Sequence, residues 1–122
     1  MDENSPKVIW GRHALLALVV MVGLFLCAQY SFLLFHGLAE IFSIVVAAVI
    51  FVLVWNTRHL SNQPYLLFIG IAYLFVASLD LVHTLAYKGM GVFPGRDANL
   101  PTQLWIAARY LQAGSLLAAP LL

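Results

Sequence analysis

"PYLLFIGIAYLFVASLDLVHTLAYKGM", Pro64–Met90, decides the fold. From Tyr65 to Leu79 it holds no charge, and the apolar run continues to about Tyr87. That length matches the ~20 residues a helix needs to cross a hydrocarbon layer. Proline suits the first helical turn, where its missing N–H is not needed, so Pro64 predicts the start of the helix. Gly89 predicts the turn out of it. Asp80, His83, Thr84 and Tyr87 follow the spacing i, i+3, i+4, i+7 and so line one face near the end of the span. Such residues are costly in lipid, which predicts that this face turns inward against other helices.

Working outward, "ALLALVVMVGLFLCAQYSFLLF" predicts a first span over 14–35, after the polar segment 1–13 with Trp10 as an interfacial anchor. A second span is expected over 37–55, reached by a tight turn at His36 and Gly37. "NTRHLSNQP" is a short loop before the third span, 65–87. The glycines and prolines of "KGMGVFPGRDANLP" prevent a regular helix. Thr102 then restarts one over 102–122, which reaches the end of the sequence with no polar flank, so the chain is expected to stop inside a longer domain. No alternation of strand type appears. The expected fold is an all-α integral membrane protein, an antiparallel transmembrane helix bundle with about four spans.

Composition agrees. Of 122 residues, 63% are hydrophobic and 9% charged, with a mean hydropathy of +0.95; soluble domains carry roughly 25% charged residues. The net charge of +1 says nothing about nucleic acid, and there is no basic run of the kind that tracks phosphates, so no nucleic-acid partner is expected. The single cysteine, Cys27, excludes an internal disulfide. Lys7, Arg12 and Arg58 fall on one side and Lys88 and Arg96 on the other. This small excess places the N-terminus, residues 1–13, in the cytoplasm.

Polar residues in the other spans sit at one depth. His36 and Glu40, four apart, open the second span; Trp105, Arg109 and Gln112 lie on the early turns of the fourth. Antiparallel helices bring the start of the second, the end of the third and the start of the fourth to the same leaflet. Three stripes at one depth predict a polar pocket between helices 2, 3 and 4, lined by His36, Glu40, Asp80, His83, Thr84, Tyr87, Trp105, Arg109 and Gln112. His13 and His59 are read as interface residues, and Tyr30, Tyr65, Tyr73 and Trp55 as interfacial belts or packing.

Three uses of such a pocket compete. The residues can simply glue helices together, with Glu40 or Asp80 neutralising Arg109. His36, Glu40, Asp80 and His83 can ligate zinc, copper or iron, and His36 with His83 can ligate haem. Arg109 can clamp a small molecule or anion against Trp105. No nucleophile–base pair or phosphate loop supports an enzyme, and a transporter needs more helices and internal repeats.

The stretches "FHGLAEIFSIVVA", "YLLFIGIAYLFVASLDLVHTLAYKGMGVF" and "NLPTQLWIAARYLQAGSLLAAPLL" resemble the membrane-associated sensor domain MASE3. The resemblance spans about Phe35 to Leu122. It implies a sensory input module at the N-terminus of a bacterial or archaeal histidine kinase or diguanylate cyclase. A cytoplasmic PAS, kinase or GGDEF region would follow it, in a homodimer in the inner membrane. The family domain continues through further helices, so no catalytic activity is expected of this chain. The layout is also similar to the ethylene-receptor sensor, whose copper site pairs Cys and His one turn apart. Here Leu79 and Asp80 stand a turn before His83, so that copper site is not expected.

Overall fold

The computed structural model describes residues 5–60, 63–95 and 99–122. Asp2, Glu3 and Arg96, which bear on the orientation, lie outside the described residues. Four α-helices follow one another: α1 (Pro6–Tyr30), α2 (Phe32–Thr57), α3 (Pro64–Ala86) and α4 (Asn99–Ala118). A short 3₁₀ turn, Ala119–Leu121, ends the chain. There is no strand among the described residues. The first three helices are long and apolar enough to cross a membrane. The helix α4 is not among them, because Thr102, Gln103, Arg109, Gln112 and Ser115 interrupt its apolar character. The architecture is an all-α membrane bundle.

The chain divides into two compact units, residues 1–36 and 37–122. In the first, α1 begins at Pro6, so most of the segment expected as a tail is helical. At 1.5 Å per residue its 25 residues extend about 37 Å, beyond a hydrocarbon core of about 30 Å. The surplus of about 7 Å, roughly five residues at 1.5 Å each, carries Lys7 and Trp10. No residue of α1 is buried, as suits a helix apolar on every side.

The break between α1 and α2 falls at Ser31, not at the His36–Gly37 turn the sequence suggested. Ser31 adopts an extended conformation (φ −154°, ψ 112°), and its Oγ accepts the backbone N–H of Leu34 at 3.2 Å. A serine side chain bonded to the third N–H of a helix is an N-cap. Gly37 lies in helix with open space around it, so glycine here marks no turn. Ser31→Ala should cost about 1 kcal/mol and Ser31→Gly only a few tenths, measured as loss of thermal stability in detergent.

In the second unit, α3 and α4 meet through small side chains. Ala72, Ala77, Ala86 and Ser115 are buried, and Ala108 is fully inaccessible. Small residues let membrane helices approach until backbones almost touch. The same device joins α2 to α3, since a Cβ on Gly70 would lie 2.7 Å from Cβ of Val54. Gly89 takes φ 106° as the chain leaves α3, a conformation that β-carbon sterics make unfavourable for other residues. Asn99 starts α4 three residues before the expected Thr102. Pro101 is accommodated because first-turn N–H groups lack helical partners in any case.

Candidate functional site

Helix periodicity puts Tyr73 and Asp80 on one stripe of α3 seven residues apart, with His83 and Thr84 beside it; Tyr87, expected on the same stripe, lies just past the helix as its C-cap, with ψ 138°. Asp80 is wholly buried and His83 is 5% exposed. A buried carboxylate needs a cation, and α4 supplies one: an Arg109 Nη2 donates to Asp80 Oδ2. Arg109 also donates through Nη1 to Gln112 Oε1 at 2.9 Å. Gln112 in turn donates through Nε2 to the Tyr73 hydroxyl at 3.3 Å. The chain Asp80–Arg109–Gln112–Tyr73 therefore crosses the α3–α4 interface and fixes both amide and guanidinium orientations.

His83 takes a different direction. Its Nδ1 lies 2.7 Å from the carbonyl oxygen of Pro101. A carbonyl can only accept, so Nδ1 carries the proton and Nε2 is the other face of the ring. That Nε2 stands 3.8 Å from Glu40 Oε1 on α2. The imidazole thus sits between the first turn of α4 and the third turn of α2. Tyr87 presents its ring to His83 edge-on, with centroids 6.3 Å apart. Thr84 donates its hydroxyl to the Asp80 carbonyl at 2.7 Å, a local bond that keeps this buried side chain on its own helix.

The nine residues expected to line one pocket therefore separate into groups. Asp80, Arg109 and Gln112 form one network, and Glu40 and His83 face each other as a second pair. His36 lies on α2 one turn before Glu40 and stacks on Phe32, with centroids 6.2 Å apart. Trp105 is half-exposed; it flanks Arg109 in a shallow groove on α4 with Ile106, Tyr110 and Ala113. A separate cavity of about 280 Å³ is bounded by Ser43 and Val46 of α2, Tyr73 and Val76 of α3, and Arg109 and Gln112 of α4.

Tyr73 was read from the sequence as a packing or interfacial residue, yet its hydroxyl ends the hydrogen-bonded chain. Its seven-residue spacing from Asp80 was the available signal. The Pro101 carbonyl is the other unforeseen member, and no side-chain pattern announces a backbone acceptor. Asp80 Oδ1 and Arg109 Nε are buried without a hydrogen-bond partner among the described residues. Buried polar atoms of this kind are places where water or a polar ligand is bound.

A family model described as a membrane-associated sensor domain, MASE3, matches residues 27–122. No curated protein and no solved structure matches the chain. The match takes in α2, α3 and α4 whole, hence every residue of the two polar groups, and only the last turn of α1. The chain belongs to the MASE3 family of membrane-associated sensor domains.

Proposed function

We propose that this chain is the multi-pass sensory input of a bacterial or archaeal signalling protein, set in the inner membrane with its N-terminus in the cytoplasm. A small ligand or metal binds between α2, α3 and α4, and a cytoplasmic output domain, such as a histidine kinase or diguanylate cyclase, reads the change in helix packing, most simply in a homodimer. The observation that carries this reading is the Arg109–Gln112–Tyr73 wall of the 280 Å³ cavity. Arg109 is bonded to Asp80, yet keeps a buried Nε without a partner among the described residues. Membrane-buried charge of this kind ordinarily marks a functional site. A ligand transmits a signal only through different affinities for two helix arrangements, and α4, held to α3 by small residues, one polar chain and the His83–Pro101 hydrogen bond, is an element able to shift.

The competing role is helix glue, supported by the same Asp80–Arg109 pair. In the intact signalling protein, Arg109→Gln and the cavity-filling Ser43→Leu should shift output activity roughly 5- to 100-fold, the range of ordinary allosteric coupling. Membrane levels and thermal stability are followed in parallel. Output unchanged in both folded variants would refute the sensory pocket. Loss of folding in both, with normal signalling by the surviving fraction, would establish the glue role.

A further inference from the structure

The structure separates the two carboxylates of the site by their partners. Asp80 is neutralised by Arg109, whereas Glu40 faces the His83 imidazole. The distance matters: 3.8 Å between His83 Nε2 and Glu40 Oε1 exceeds the roughly 2.7–3.2 Å of an N–H···O bond. Two ligands each about 2.0–2.2 Å from a tetrahedral zinc ion stand roughly 3.3–3.6 Å apart. A small rotation of the glutamate closes that difference, because its side chain is attached to a different helix by flexible methylenes.

The other face of the imidazole is prepared for the same purpose. Metal-ligating histidines almost always donate their second ring N–H to a carboxylate, carbonyl or water, which fixes tautomer and ring orientation. His83 does this through Nδ1 to the Pro101 carbonyl at 2.7 Å, and the ring is buried.

We infer that His83 Nε2 and the Glu40 carboxylate bind a divalent transition-metal ion of the zinc class between α2 and α3. The inference rests on the sensory reading above, but its site is the Glu40–His83 pair, not the Arg109-lined cavity. Nitrogen and oxygen donors suit zinc and cobalt(II), and they lack the thiolate or thioether that selects copper(I). A divalent ion also supplies the positive charge that Glu40 requires inside a membrane segment. Asp80 is left out of the ligand pair because Arg109 already supplies its counter-charge. His36 is a donor of the same class on the same helix, one turn before Glu40.

The test uses the full chain purified in detergent without chelator, then titrated with zinc chloride or cobalt chloride. Elemental analysis after gel filtration should give about one zinc per chain. Cobalt should produce a visible d–d band, and X-ray absorption should show a first shell of nitrogen and oxygen only. Glu40→Gln and His83→Gln should each weaken binding roughly 100-fold or more, at least the loss that follows removal of an outer partner. Tyr65→Phe, an exposed position at the opposite end of α3, should bind as wild type. Wild-type protein that takes up no zinc overturns the inference, whether or not the variants fold. So does uptake that survives both substitutions, or sulfur in the first shell. Metal-free protein whose output still responds to Arg109→Gln would remove the ion and leave the sensory pocket standing.

Discussion

Asp80→Ala is expected to be among the most destabilising single substitutions in this chain, by about 3 kcal/mol. Removing one member of a buried ion pair costs about 3–5 kcal/mol because the remaining charge is left in a medium that cannot solvate it. Arg109 keeps about a third of its side-chain surface exposed, which places the loss at the lower end of that range. The damage spreads, since Arg109 also orients Gln112 and, through it, meets Tyr73. Asp80→Ala with Arg109→Leu should recover much of the loss, because the double substitution leaves no buried unpaired charge. Unfolding in detergent, followed by helix content against temperature or denaturing detergent, measures both. An Asp80→Ala protein within ~1 kcal/mol of wild type would show that the pair contributes little. In that event the buried charge would have to be explained by ligand binding alone.

Gly70→Leu should cost roughly as much, near the upper end of the ~1–3 kcal/mol typical of overpacking. Even a single added Cβ would stand 2.7 Å from both Cβ and Cγ1 of Val54. The Val54 Cβ is bonded to the α2 backbone, so relief requires moving α2 away from α3. That movement would also widen the Glu40–His83 gap, and Gly70→Leu should therefore weaken zinc uptake as well as stability. Gly70→Ala is expected to lose less, since exchange of a helical glycine for alanine returns up to about 1 kcal/mol. Gly37→Ala is the matched control. Nothing lies within 4 Å of its added carbon, and it should be neutral or slightly stabilising in the same melting experiment. Equal effects at the two glycines would refute the close approach of α2 to α3.

The helices themselves were legible in the residues. Runs near 20 apolar residues admit one structure in lipid, because every backbone N–H and C=O must be bonded within its own segment. Pro64 and Gly89 marked the limits of α3, and the stripe of Asp80, His83 and Thr84 followed from 3.6 residues per turn, while Tyr87, expected on it, caps the helix end. The break between α1 and α2 was less legible. Gly37 looked like the stronger turn former, but a glycine with helical neighbours can stay helical, while Ser31 has a hydroxyl able to satisfy an otherwise unpaired helix N–H. A competition between a permissive residue and a capping residue is settled by one hydrogen bond, which hydropathy does not register.

Which polar groups meet was decided only in three dimensions. Periodicity assigns a residue to a helix face and a depth; it does not assign the rotation of one helix against the next. With four ionisable residues on facing stripes, Arg109 was free to choose Glu40 or Asp80, and His83 was free to choose either acid. Close packing of α3 on α4 through Ala108 and its small neighbours brings Arg109 to Asp80. The first turn of α4 then brings the Pro101 carbonyl to His83 Nδ1, leaving the other ring nitrogen directed at Glu40. The sequence by itself determined a membrane helical domain with its costly polar residues gathered at one depth. Only the packing of the helices divided those residues into a guanidinium–carboxylate pair and an imidazole–carboxylate pair.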